Sequence, residues 1–209
     1  MKIETITAGA FATNCYLVWS DQGPSALLVD CAGEAAEILG RARSLGIVIS
    51  HIVVTHGHVD HVEALADLKQ LTGAQIAVHE LDAAMLSDPM VSGAALFGLS
   101  QRGAAADVLL REGDTIELPG AVLRLTVLHA PGHTPGSICL LGDGVLFSGD
   151  CLFADGIGRM DLPGGDETAM ARSLRRLAEL DPNLAVYPGH GPSTTIGEEV
   201  AHNPWLAEL

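Results

Sequence analysis

Short apolar runs broken by turn residues open the chain. Asn14 to Trp19, Ala26 to Cys31 and Ile47 to Val54 are rich in Val, Ile and Leu and predict strands. Between the last two, Ala35, Ile38, Leu39, Ala42 and Leu45 recur at helical spacing, and Gly46 stands where a helix would stop. A second helix is predicted from Asp60 to Leu71, with Val62, Leu65 and Leu68 on its buried side and Gly73 as its stop, then a short strand from Gln75 to Val78. Ser87 to Asp107 breaks the rhythm. Gly, Ala and Ser dominate it without a clear period, so the expectation is a weakly specified surface helix or, alternatively, a mobile lid. Strand character returns from Asp107: Leu123, Leu125 and Val127 alternate with Val122, Arg124 and Thr126, and Gly142 to Gly144 reads as a turn. Asp166 is placed to cap a helix presenting Met170, Leu174 and Leu177, and a strand near Ala185 to Tyr187 leads into Pro188-Gly189-His190. Two groups of strands, each with its own helices, predict an α/β (α+β) sandwich of two sheets with helices outside, in a single domain over 1–209.

Composition narrows the partners. Hydrophobic residues make up 48% of the 209 residues, enough for a sizeable core, while 11 basic against 26 acidic residues give a net charge of −15. Lys2 and Lys69 are the only lysines, so no basic stripe is available to neutralise nucleic-acid phosphates or anionic lipid. The start lacks a signal-peptide pattern and no run reaches membrane-spanning length, which predicts a cytoplasmic protein. Cys15, Cys31, Cys139 and Cys151 are scattered, with no C-x-x-C pair, so free thiols are expected. Cys151, following Asp150, is the one with a conceivable role near a reactive centre.

The chemistry concentrates in Thr55-His56-Gly57-His58-Val59-Asp60-His61, directly after one predicted strand and directly before a helix. His56 and His58, two apart in extended chain, can point to one side and reach one ion. Asp60 and His61, where the chain turns into the helix, can converge on another. Without a metal, four titratable side chains would be crowded at one corner against desolvation and mutual repulsion. Three further strand-end loops each offer a ligand: His133 in Pro131-Gly132-His133-Thr134-Pro135-Gly136, Asp150 after Phe147-Ser148-Gly149, and His190 in Pro188-Gly189-His190-Gly191. Grouped, His56, His58 and His133 serve one ion, Asp60, His61 and His190 a second, and Asp150 bridges. Two divalent ions follow, zinc first among them, with iron or manganese also suited to imidazole and carboxylate ligands.

These motifs together resemble the metallo-β-lactamase superfamily over nearly the whole chain. The resemblance implies a four-layer αβ/βα sandwich with the metals at one edge between the sheets, and the seven ligands at the positions named. Within the superfamily the chain looks most like the short, bacterial type II glyoxalase-like (hydroxyacylglutathione hydrolase-like) enzymes, whose loop after the bridging aspartate is similar to Gly156 through Asp166. It departs from full-length type II glyoxalases in two ways. The chain stops nineteen residues after His190, without their helical extension bearing glutathione-binding basic residues, and Gly191-Pro192 stands where they place a tyrosine.

A hydroxide shared by two cations is the natural nucleophile, with Asp60 expected to orient it. A thiolate leaves without a proton, its parent thiol having a pKa of about 8.5, and no spare acid is evident, so a small-molecule thioester is the favoured substrate. Arg159 is the expected substrate-facing cation, with an ion pair to Asp161 as its alternative role. His51, His79, His129 and His202 are assigned to surface or core hydrogen bonding, with His129 a candidate support for His133. The rival activities are a mononuclear-iron persulfide dioxygenase and a lactone hydrolase. A metal-stabilised domain without turnover is the non-enzyme alternative.

Overall fold

A computed structural model describes residues 1–118 and 123–207. Its first sheet contains, in spatial order, β1 (Lys2–Ala8), β2 (Thr13–Trp19), β3 (Ser25–Val29), β4 (Val48–Val54), β5 (Gln75–His79) and β6 (Val108–Leu110). The first three strands are antiparallel, and β3 through β6 run parallel. Helix α1 (Ala35–Ser44) crosses from β3 to β4, and α2 (Val59–Val62) and α3 (Leu65–Thr72) cross from β4 to β5. The second sheet has the order β12-β11-β10-β9-β8-β7. These strands are β7 (Thr115–Glu117), β8 (Arg124–His129), β9 (Ile138–Gly142), β10 (Val145–Gly149), β11 (Ala185–Pro188) and β12 (Thr194–Thr195). Helix α4 (Glu167–Ala178) makes the parallel crossover from β10 to β11, and α5 (Ile196–His202) and α6 (Pro204–Ala207) follow β12. Among the described residues no helix is long and apolar enough to cross a membrane.

Both faces of the central strands are buried, which is why their sequences read as continuous apolar runs rather than clean alternation. On β2, Cys15 and Leu17 face the α1/α3 layer while Tyr16 and Val18 face the other sheet. On β10, Val145 and Phe147 point between the sheets and Leu146 packs with Met170, Leu174 and Leu177 of α4. The result is helix, sheet, sheet, helix. Asp166 caps α4 as its sequence predicts, accepting a hydrogen bond from the Ala169 amide at 2.9 Å. The β9–β10 hairpin turns through Asp143 and Gly144, both at positive φ (51° and 78°), the conformation a two-residue type I′ turn demands.

Three expectations need adjustment, and a fourth reaches beyond the described residues. The strand expected to run through Cys31 ends at Val29, because Asp30 takes a left-handed conformation (φ 58°). The helix expected over Asp60–Leu71 is interrupted at Glu63 and Ala64. There the Cys31 backbone inserts itself: its N–H donates to the His61 carbonyl and its carbonyl accepts from the Ala64 amide, both at 2.9 Å. Ser87 to Asp107 forms no regular helix; it follows a 3-10 turn over Glu80–Leu86 and is a chain of turns tied together by Gln101, whose side chain bonds Ser92 Oγ at 2.5 Å and the Met85 carbonyl at 2.8 Å. Val122, expected to begin a strand, lies outside the described residues, and the strand is observed from Arg124.

β8, β10 and β11 all run in one direction, since β9 is antiparallel to both β8 and β10 and β11 is parallel to β10. Their carboxyl ends meet those of β3 and β4 at one seam between the sheets, the edge where open α/β sheets place their ligands. Ile138 joins the two sheets there, its amide donating to the Thr55 carbonyl at 2.9 Å.

Phe147 is fully buried between the sheets, its ring 5.2 Å from that of Tyr16 and 5.5 Å from that of Tyr187. Phe147→Ala is expected to lower unfolding free energy by about 3–5 kcal/mol in urea denaturation, with an unchanged m-value. A loss below about 1 kcal/mol would show that this inter-sheet packing is not the central one.

Candidate metal centre

The segment after β4 turns sharply through Gly57, where a Cβ would stand 2.3 Å from Met85 Cβ, and enters α2 at Val59. This turn carries all four polar residues of the motif inward. Three ring nitrogens, His56 Nε2, His58 Nδ1 and His133 Nε2, face one point: 3.1 Å separates the first from the third, and 2.7 Å the second from the third. Asp60 Oδ2, His61 Nε2 and His190 Nε2 surround a second, with separations of 3.6 Å (Asp60–His61), 3.4 Å (His61–His190) and 3.3 Å (Asp60–His190). Asp150 stands between the groups, with Oδ1 3.3 Å from His61 Nε2 and Oδ2 3.5 Å from both His133 Nε2 and His190 Nε2. All seven residues expected from the sequence are therefore together.

The donors fit divalent cations. Ligands about 2.0–2.2 Å from a tetrahedral ion stand roughly 3.3–3.6 Å from one another, the spacing of the second group. Nitrogens facing nitrogens can share only one proton per pair, and His58 Nε2 and Asp150 Oδ1 are buried with no hydrogen-bond partner. Imidazole and carboxylate without thiolate suit zinc, iron or manganese.

Electrostatics divides the groups. Burial and the facing rings of His61, His133 and His58 hold His56 well below the ordinary histidine value, and burial with His133 and His61 brings His58 down to about 3. Their lone pairs are thus available at neutral pH. Burial opposes charge on the other side too, but there the opposite charges win. Asp60, Asp150 and Asp30 move His61 upward, while His61 and the hydrogen bonds of His190 and Thr13 hold Asp60 below the usual carboxylate range.

Two buried carboxylates that sequence reasoning missed hold the ligands in place. Asp30, at the end of β3, accepts from the Thr55 amide and hydroxyl, each at 2.7 Å, and lies 2.9 Å from His61 Nδ1, fixing that ring with Nε2 toward the cluster. Asp82 accepts from the Gly57 amide at 3.0 Å, the Thr134 hydroxyl at 2.7 Å and the Gly136 amide at 2.7 Å, clamping the loop of His56 and His58 to the loop of His133. The one available signal for Asp30 was a carboxylate ending the wholly apolar run Leu27-Leu28-Val29; Asp82 had none. Thr13 Oγ1 donates to Asp60 Oδ2 at 2.9 Å. Asn14 and Tyr16 grip the His190 loop through the Pro188 carbonyl at 3.0 and 2.5 Å. At Gly189 a Cβ would lie 2.1 Å from Asp150 Oδ1, so this position must stay bare for the strand ends to meet.

His133 Nδ1 pairs with the Arg159 carbonyl at 2.7 Å rather than with His129, whose Nε2 pairs with the Pro135 carbonyl at 2.8 Å and whose ring stacks on His79 at 4.1 Å. Ring stacking between the ends of β5 and β8 draws His129 away from the cluster. Cys151 is buried against Met170, 3.9 Å between sulfurs, and packs rather than facing the site. The other three cysteines are likewise free and buried. Arg159 lines a cavity of about 360 Å³ above the cluster, with its guanidinium paired to Asp161 by two hydrogen bonds at 2.6 and 2.7 Å.

Two mixed sheets packed face to face, with a histidine–aspartate cluster at their shared strand ends, define a metallo-hydrolase fold built around divalent cations. A family model described as the metallo-beta-lactamase superfamily matches residues 8–190, and the chain belongs to that superfamily. It is 37% identical over 215 residues to hydroxyacylglutathione hydrolase GloC of Haemophilus influenzae, covering 99% of this chain and 98% of that one. Among solved structures it is similar to the B3 metallo-beta-lactamase BLEG-1, with a TM-score of 0.93 and 33% identity over 98% of this chain and 99% of that one. It is also similar to TTHA1623 in a di-iron-bound form, with a TM-score of 0.86 and 36% identity over 97% of this chain and 100% of that one.

Asp30→Asn keeps the side chain's size and tolerates positive φ, but removes the carboxylate that orients His61. It is expected to weaken metal affinity by about 10–100-fold in competition with a chelator, while the fold's circular dichroism is kept. Unchanged affinity would show that His61 is positioned without Asp30.

Proposed function

We propose that the protein is a binuclear metal-dependent hydrolase of thioesters, of the hydroxyacylglutathione hydrolase type in its chemistry, working as a single cytoplasmic domain on a small molecule. The observation that carries this is the arrangement of seven donors in two groups sharing Asp150. His56, His58 and His133 would hold one ion and Asp60, His61 and His190 the other, with zinc the first candidate and iron next, TTHA1623 being di-iron. Divalent ions there would supply Lewis acidity to the scissile carbonyl and would lower the pKa of a bound water from about 16 to about 7.

Within the chain, Asp60 would orient the attacking water. Its Oδ2 is fixed by Thr13 and His190, and its carboxylate stays ionised to accept a hydrogen bond at the cavity floor. Apart from the cluster itself, Arg159 is the only titratable side chain lining the cavity among the described residues. An amine leaving group would need a proton from a positioned acid, whereas a thiolate does not, and this supports a thioester over an amide. The likeness to GloC supports the same choice.

Freshly purified protein is expected to carry about two metal ions per chain by elemental analysis and to hydrolyse members of a thioester panel. Asp150→Ala, which removes the residue shared by both groups, is expected to lose both ions and bring turnover to background. Full metal content in that variant would rule out a bridging role, and about one iron per chain with oxygen uptake on a persulfide would replace the hydrolase reading.

A further inference from the structure

The walls of the cavity above the cluster are apolar. Phe11 comes from the turn between β1 and β2, Phe97 from the irregular segment after the 3-10 turn, and Phe153, Ile157 and Leu162 from the chain beyond Asp150. Three of the four phenylalanines in the chain are spent here, the fourth being Phe147 in the core. Phe11 and Phe97 meet edge to face at 5.3 Å, each 41% exposed, and Phe153 stands edge to face with His190 at 5.9 Å. Aromatic surface left this open beside a reactive cluster gains most when an apolar ligand covers it.

Charge on the same walls is cancelled. Arg159 is the sole lysine or arginine lining the cavity among the described residues, and Asp161 pairs with its guanidinium through both oxygens, at Nε and one terminal nitrogen. A ligand bearing carboxylates would meet a wall whose one basic side chain is already neutralised by Asp161, on a chain of net charge −15.

Resting on the thioester reading above, we propose that this cavity selects thioesters of apolar, uncharged acyl groups on thiol carriers without carboxylates, with Phe11, Phe97 and Phe153 as the selecting residues. In the reaction a water oxygen bonds to the acyl carbon and the C–S bond breaks with its electron pair on sulfur. The products are a carboxylate, a thiol and one proton. Arg159 and Asp161 act as a mutually neutralised pair that offers an anionic carrier no net positive charge.

The test uses the metal-loaded protein and two readouts. For acetyl, butyryl and hexanoyl thioesters of the neutral thiol N-acetylcysteamine, kcat/KM is expected to rise about fourfold per methylene buried. In calorimetry the uncleavable thioether S-hexyl-N-acetylcysteamine is expected to bind at least fivefold more tightly than S-hexylglutathione. Phe97→Ala, and separately Phe11→Ala, should flatten the chain-length series and weaken the hexyl thioether about fivefold. Asp161→Asn, which releases Arg159, should narrow the gap between the two thioethers. Tighter binding of S-hexylglutathione, or lactoylglutathione outrunning every neutral thioester, overturns the selectivity and leaves the hydrolase reading intact. No turnover of any thioester, with the order of thioether binding as expected, supports the apolar selectivity and counts against the hydrolase reading alone.

Discussion

A single carboxylate at the end of β3 sets where the cluster sits. Asp30 is buried, adopts a left-handed backbone conformation, and accepts bonds from the Thr55 amide and hydroxyl while facing His61 Nδ1. The first two bonds fix the chain as it leaves β4, so the direction of the following histidines is decided by a neighbouring strand. The pairing with His61 reaches past the turn to the first residues of α2. Cys31, the next residue, adds two backbone bonds to the same helix and interrupts its ladder at Ala64. The strand end therefore specifies the loop, the start of the helix and the tautomer of one ring together. A buried acidic group is an expensive way to do this, and it is tolerable because every oxygen is paired.

The cluster is also the seam of the fold. His56, His58, Asp60 and His61 come from the first sheet, and His133, Asp150 and His190 from the loops of the second. Between the sheets the packing is apolar, around Phe147, and at this edge polar groups cross over: Ile138 to Thr55, Tyr16 to Pro188, Asp82 to Thr134 and Gly136. Because the donors come from both halves, ions held by the assembled cluster would add their binding free energy to the docking of the sheets.

What was legible in the sequence was what is local. The H-x-H-x-D-H run contains four of the seven donors within six residues, and its place between an apolar run and a helical pattern is written in adjacent residues. The remaining three could be read because each sits in a Gly-rich strand-end loop, where backbones must approach closely, as Gly189 shows against Asp150. The two-sheet sandwich followed from the grouping of strands with helices. The supports were not legible: the three bonds of Asp82 go to residues 25, 52 and 54 positions away, and no local pattern encodes such a partner. The irregular segment after Leu86 was hidden for a related reason. Its order comes from side chains such as Gln101 and Ser92 bonding one another, and propensity carries no signal for that.

The strong acidity of the chain bears on the site in two opposite ways. Far from the cluster, the basic groups Arg41, Lys69, Arg102, Arg111 and Arg176 each meet a carboxylate, leaving the excess charge negative and spread over the surface. That field concentrates cations and repels anions, and with a Debye length of about 8 Å at physiological salt its effect on diffusing solutes is strongest close to the protein. Inside the cluster, Asp60 and Asp150 stand among the imidazole nitrogens of His61, His133 and His190, a donor set that suits a divalent cation. The same sign of charge thus favours divalent cations and discourages anionic solutes at the mouth of the cavity lined by Phe11, Phe97 and Phe153.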